Sequence, residues 1–476
     1  MNKRCLLFAI LTFSLFSALF AKDFYGLSVP DSSEIRSQIV EKWFKQDLAH
    51  LRVQESEVFE NSLGKKFQVR LEELDDELYA VIVAPETKME LELITANGSQ
   101  KRLVEVYPYD LQGSWILFKS KKTENPLSVR WYFNKDSQIF AEFSCQNQPN
   151  INSQMRKTRN DEKVYASFVL YNMFLAKSIP VGLSIEDLFT ISFDDLVELS
   201  KNAFPWDYAK IETYLYEDNL QMIGVIREKL ETIFYEHDAC YDGDFRPVRI
   251  STGLERAESA RIEKAKDKNS KYTISLDEFG FTKWIVDGLV RPISGSLLEL
   301  APLKAQTVEF KAGSKADVLM DKSNVYFGLD WVRNLAAAYR SVTSGSIYNA
   351  KNSGCEVMIH PFSAQATSQG VKSIPLYLKD NGYSVDCLKA LFYVLAIQEP
   401  GRFYLGALRE IDENTPENPY YVRTLAFFPY FDEKENFGVA VFENGKEYEL
   451  EDFIKNNSEK FVNLVRLQSS QRFYPQ

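Results

Sequence analysis

The sequence predicts an α+β multidomain chain: an N-terminal β-sandwich, a helical middle segment and a C-terminal α+β domain. Three observations carry this expectation. Apolar residues alternate with period two from Lys65 to Cys145, shift towards helical spacing between residues 164 and 271, and from residue 272 onward form helical stretches first and strand-like runs last. At roughly 150 residues per domain, a chain of 476 residues has room for about three such units, and its 45% hydrophobic and 14% aromatic content is ample for packed cores.

Residues 1–21 place Lys3 and Arg4 ahead of an apolar run from Cys5 to Phe20, with Ala21 before Lys22-Asp23. That order reads as a secretory signal peptide. A retained anchor is the alternative, but the run is short for a span of about 20 residues. No later stretch is long and apolar enough for a bilayer, so no transmembrane segment is expected after signal removal and the expected location is periplasmic or secreted. The formal charge is −11, and −13 once the segment with Lys3 and Arg4 is set aside; there is no basic block elsewhere. Nucleic acid and anionic membrane surfaces are therefore not expected partners. Cys145, Cys240, Cys355 and Cys387 remain in the mature chain, allow three full pairings, and include no CxxC.

Within 22–64, residues 32–50 form an amphipathic helix capped by Ser32 or Ser33, with Ile35, Ile39, Trp43, Phe44 and Leu48 at helical spacing. Residues 65–145 hold seven short strand-like runs separated by turn sequences, the spacing of an antiparallel β-sandwich. Trp115, Trp131, Tyr107 and Tyr132 lie there; packing is their commoner fate, and an aromatic platform for glycans or peptides the alternative. Residues 146–163 lack apolar periodicity and read as a linker. The mainly helical middle, 164–271, has one helix capped near Ser192 and another over 222–237, whose face carries Ile223, Ile226, Leu230 and Phe234. Its end, 255–271, is a charged run expected as a solvated loop or exposed helix.

In 272–476, Ser275 and Glu278 have the spacing of a capping box, followed by Phe281, Trp284, Ile285 and Leu289 on one helical face. A second helix is expected with Asp330 as N-cap and Trp331, Leu335 and Ala338 on one face, and a third after Ser384, ending before Pro400-Gly401. Strand runs follow, and Glu443-Asn444-Gly445 is a hairpin signal. Asp287 with Arg291, and Asp330 with Arg333, have the spacing of local ion pairs.

The run Asp277-Glu278-Phe279-Gly280-Phe281 resembles the D-C-S-G-F motif with which NlpC/P60 cell-wall peptidases open their nucleophile helix. The resemblance implies a papain-like, NlpC/P60-like α+β fold for 272–476. Glutamate stands where that motif has cysteine. A helix N-terminus favours a thiolate, and a carboxylate there is stabilised by the same field without serving as the nucleophile. The resemblance also puts a histidine on a later strand, where this chain has Arg423 or Thr424. What it implies is a non-catalytic binding or scaffolding protein, with a peptidoglycan peptide or an envelope protein as partner and with Ser275, Asp277, Glu278 and Trp284 as candidate binding residues. A hydrolase with a relocated dyad, Cys355 with His360, is the enzyme alternative; five residues apart on a regular strand, the two point to opposite faces. A purely structural envelope component is the third. No cofactor or metal is expected: the EF-hand spacing from Asp238 fails, with Cys240 at the third position and Arg249 at the twelfth.

Overall fold

The computed structural model describes residues 29–30, 32–95, 98–145, 164–257, 271–308, 325–368, 370–374, 377–412 and 415–476. The expected signal peptide and the 146–163 linker lie outside the described residues, as does most of the 255–271 charged run. The chain is of mixed α/β composition with large antiparallel sheets. It divides into two compact units, Met1–Lys210 with Phe362–Ser373, and Ile211–Pro361 with Ile374–Gln476.

The first unit is built on one hydrogen-bonded ladder of ten strands. In spatial order these are β1 (Glu57–Glu60), β2 (Lys66–Glu73), β3 (Leu78–Pro85), β6 (Trp115–Ser120), β7 (Pro126–Trp131), β8 (Ile139–Cys145), β9 (Val164–Leu170), β10 (Met173–Pro180), β15 (Ala364–Thr367) and β16 (Gly370–Lys372). Strands β4 (Thr87–Thr95) and β5 (Gly98–Val106) pair only with each other. The seven expected runs are strands, but five of them join one continuous sheet and the other two, β4 and β5, form a separate hairpin, where a two-sheet sandwich was expected. Val164–Leu170, counted with the helical middle, is a strand because its aromatic and β-branched residues alternate onto two covered faces. Tyr171 and Asn172, at φ 47° and 65°, make the two-residue turn that pairs it with β10.

One face of this sheet carries Val81, Val83, Trp115, Leu117, Val129 and Trp131, all buried. Helix α1 (Ser33–Ile39) continues through one π-helical turn over Val40–Phe44, shorter than the expected 32–50, and Ser32 makes no side-chain cap. Its Arg36 is buried with the guanidinium 4.8 Å from the Trp115 ring and 4.5 Å from Trp131. Helices α2 (Ile185–Thr190) and α3 (Phe193–Ser200) start on Ser184 and Ser192, each accepting a backbone N–H three residues on. Phe44 meets Trp115 and Phe189 edge-on, and Phe193 meets Trp131. Trp115, Trp131 and Tyr132 are thus core residues, not an exposed platform.

The second unit places helices against a six-stranded antiparallel sheet. Its order is β17 (Tyr383–Ser384), β22 (Phe461–Gln468), β18 (Arg402–Asp412), β19 (Thr415–Phe431), β20 (Phe437–Glu443), β21 (Lys446–Glu449). The expected hairpin closes on Asn444 and Gly445, at φ 50° and 68° between Glu443 and Lys446. Helix α4 (Glu217–Leu230) stops short of 237, because Ile233–Tyr235 forms a strand, β11, parallel to β14 (Ile274–Leu276). Helices α5 (Glu278–Ser294) and α6 (Phe327–Ser344) pack on each other and on the sheet, burying Phe281, Ile285, Leu289, Trp331 and Leu335 with Phe403, Phe428 and Phe442. Burial stabilises each such side chain by about 1.5–3 kcal/mol, which makes this cluster the main support of the unit.

A tight loop connects the core to the edge of this sheet. Leu378 and Gly382 exchange backbone hydrogen bonds, with Asp380 at φ 59° at the tip and Gly382 at φ 87°. A Cβ on Gly382 would lie 2.0 Å from the Val462 carbonyl oxygen, which is fixed in β22. Replacement Gly382→Ala is expected to lower stability by about 2 kcal/mol or more, measured by chemical denaturation; a change within error would show that the loop relaxes at no cost.

Candidate functional site

The motif that drew attention in the sequence begins at a strand. Ser275 lies in β14, fully buried, and its hydroxyl accepts from Arg256 Nη2 at 2.7 Å. The expected Ser275–Glu278 capping box is therefore not formed. Asp277 caps α5 instead, its Oδ1 accepting from Gly280 N at 2.7 Å. Gly280 is required at that position, since a Cβ would stand 2.3 Å from the Ala239 carbonyl oxygen. Glu278, half-buried in the first turn, accepts from the Tyr235 hydroxyl at 3.4 Å.

Thr424, on β19, donates from its hydroxyl to the Glu278 carbonyl at 2.9 Å and lies 3.3 Å from the Thr282 hydroxyl. Trp284 is buried, stacks on Phe281 and donates its indole N–H to the Gln476 carbonyl at 2.6 Å. The local ion pairs expected from spacing are re-partnered. Asp287 pairs with Lys283 one turn upstream at 2.6 Å, both buried, and Arg291 reaches the Gln476 side-chain amide. Asp330 does not cap its helix; α6 starts at Phe327, and Asp330 accepts from Thr307. Ser384 likewise precedes a 3-10 turn, Val385–Cys387, without a side-chain cap, and α7 (Leu388–Gln398) follows it.

The relocated dyad is not assembled. Cys355 is buried, and its thiol faces the carbonyls of Ala336 and Ser353 at 3.6 and 3.7 Å. His360 is exposed and meets Tyr377 edge-on at 6.3 Å. Cys240, Cys355 and Cys387 are free thiols, and burial pushes those of Cys240 and Cys387 up to about 12. Such thiols stay protonated at neutral pH and make poor nucleophiles.

The segment between those two residues contributes to a different site. Cys355 and Val357 turn into the core, while Glu356 and Met358 point the other way into a cleft of about 470 Å³. Arg333, rising from α6 and only 6% exposed, forms its wall. Its Nη2 lies 2.6 Å from Glu356 Oε1 and 2.9 Å from Asp380 Oδ1, and Nη1 donates to the Thr307 hydroxyl at 3.3 Å. Glu356 Oε1 also accepts from the Tyr377 hydroxyl at 2.8 Å and from Asn463 Nδ2 at 2.7 Å. Tyr421 donates its hydroxyl to the Asp380 carbonyl. Burial by itself raises the Glu356 carboxyl, but Arg333, Asn463 and Tyr377 outweigh it and hold the group below the ordinary glutamate value. Lys351 and Lys379 complete the lining.

Sequence reasoning named Arg333 only as a local pair and missed Glu356, Tyr377, Lys379, Asp380 and Asn463. The available signal was strand alternation in GCEVMIHPF, which puts Glu356 opposite two apolar neighbours.

Fold and cleft together define a two-unit α/β protein whose second unit carries a charged cleft without a thiol–imidazole pair among the described residues. Among known families, the Domain of unknown function (DUF8515) matches residues 26–208, which fall within the first unit. No curated protein matches the chain, and no solved structure does. No helix among the described residues is long and apolar enough to cross a membrane.

The cap of α5 gives a pH test. Burial pushes the Asp277 carboxyl up to about 8, against the Gly280 N–H bond that favours its charge, while Glu278 and Asp238 raise it further. An acid whose pKa is raised on folding binds its proton more tightly in the native state, so its contribution to stability is largest below the unfolded value and declines as pH rises through about 8. Asparagine caps helices as well as aspartate does. Asp277→Asn should therefore gain on the wild type between pH 5 and about 8, read as the difference in Tm; a constant difference across that range would refute the burial assignment.

Proposed function

We propose that this chain is a secreted bacterial envelope protein whose C-terminal region is a non-catalytic, NlpC/P60-like binding or scaffolding domain, engaging a peptidoglycan peptide or an envelope protein. The observation that carries the reading is the meeting of Thr424 with the start of α5. The resemblance assigns that helix start to a cysteine and a later strand to its histidine. Here Glu278 opens the helix, and the strand side chain bonded to its backbone is a threonine hydroxyl, which cannot take up a proton at neutral pH. The order of a buried helix followed by an antiparallel sheet supports the same reading, as analogy of fold.

The relocated-dyad alternative draws no support from the geometry around Cys355, whose thiol is engaged with main-chain carbonyls. Periplasmic or secreted localisation rests on the 1–21 segment of the sequence.

Incubating the purified mature protein with muropeptides distinguishes the readings. Binding by calorimetry without release of new amines is the expected result, and Cys355→Ala should leave it unchanged. New amine-bearing products that disappear in Cys355→Ala would establish a thiol hydrolase and overturn the proposal.

A further inference from the structure

The cleft in the second unit has an arrangement that selects a ligand chemistry. Glu356 Oε1 already accepts from Arg333, Tyr377 and Asn463, and Asp380 Oδ1 accepts from Arg333. These bonds fix both carboxylates in place and leave Glu356 Oε2 and Asp380 Oδ2 without a hydrogen-bond donor among the described residues. Both residues line the cleft, with 18% of the Glu356 side chain and 31% of the Asp380 side chain exposed. The wall formed by Arg333, Glu356 and Asp380 carries two negative charges against one positive. Arg333 Nε, itself buried, has no acceptor among the described residues, so the polar wall is not closed on itself.

A cation fits this wall better than an anion. A metal ion is disfavoured, because the described residues contain no group of three or more ligating His, Cys, Asp or Glu side chains, and a guanidinium already stands between the two carboxylates. An ammonium group needs only hydrogen-bond acceptors and negative charge, which the two free oxygens supply. Lys351 and Lys379 line the same cleft with the opposite charge, and Val308, Ala350 and Met358 add apolar surface. The volume of about 470 Å³ lies in the range of small-ligand sites.

We propose that this cleft binds a small zwitterion of the amino-acid or short-peptide class, its free ammonium held by Glu356 Oε2 and Asp380 Oδ2 and its carboxylate facing Lys379 and Lys351. The inference rests on the binding reading above and deepens it by stating which charged groups of a peptide are recognised. The ionised state of Glu356 at neutral pH agrees with it.

Three probes test the assignment by NMR titration of the full chain: the dipeptide Ala-Ala, N-acetyl-Ala-Ala and Ala-Ala amide. Ala-Ala should bind, and N-acetylation should weaken binding by about tenfold or more through loss of a charge-assisted hydrogen bond. Glu356→Gln should do the same. Because Glu356 also supports the fold, Lys379→Met provides a second variant at an exposed position; it should weaken Ala-Ala and leave the amide unaffected. Equal binding of the acetylated and free dipeptides, or binding of none of the three, overturns the proposal. Muropeptide binding that survives both variants would also overturn it while leaving the envelope-binding reading standing. Dipeptide binding without muropeptide binding would support the cleft and remove that reading.

Discussion

Arg333 leaves α6 from among buried apolar residues, and a guanidinium in that position has to be met by ionised acceptors or the helix cannot stay buried. Glu356 and Asp380 meet it from two segments far apart in the chain, at 2.6 and 2.9 Å. Glu356 comes from a segment that runs along the edge of β22, where Cys355 O accepts from Arg466 N and Val357 N donates to Leu464 O. Asp380 comes from the tip of the 378–382 loop. One buried charge therefore ties a core helix, a sheet edge and a loop together. Removing one member of such a buried network typically costs about 3–5 kcal/mol, because the others are left uncompensated. The same constraint that holds the three pieces also places two partly exposed carboxylates in the wall of a cleft.

The start of α5 shows a different economy. A first turn this deeply buried leaves little water for its N–H groups, so the cap must be internal, and Asp277 supplies it at 3% exposure. Backbone approaches within van der Waals distance of a carbonyl, which excludes any side chain at Gly280. This junction, among the described residues, is composed of a carboxyl group, two hydroxyls and an indole, all engaged in holding helix to strand or tail.

Much of the fold was legible in the sequence where period and turn chemistry agree. The seven strand runs of 65–145, the helix after Ser192, the helical face of Phe281, Trp284, Ile285 and Leu289, and the Asn444-Gly445 hairpin all appear. What failed has a common physical cause: partners chosen from sequence proximity. Ser275 has the spacing of a cap, but Arg256 takes its hydroxyl in a strand. Asp287 has Arg291 four residues on, yet Lys283, buried on the same helix, holds it. Val164–Leu170 extends a sheet because tertiary burial on both faces outweighs its place next to helical segments. The cleft was invisible for the same reason, since Arg333, Glu356, Asp380 and Asn463 are brought together only by the fold. Cysteine and histidine attract attention in GCEVMIHPF, while alternation hands the exposed face to Glu356.

The account stands on Glu356 being ionised and pinned by Arg333 within the folded second unit. Its carboxyl resonance, followed by 13C NMR across an acid titration, measures this most directly. The prediction is a midpoint below the ordinary glutamate value, moving upward in Arg333→Met. A midpoint at or above that value in the wild type, or one indifferent to the loss of Arg333, would contradict the account.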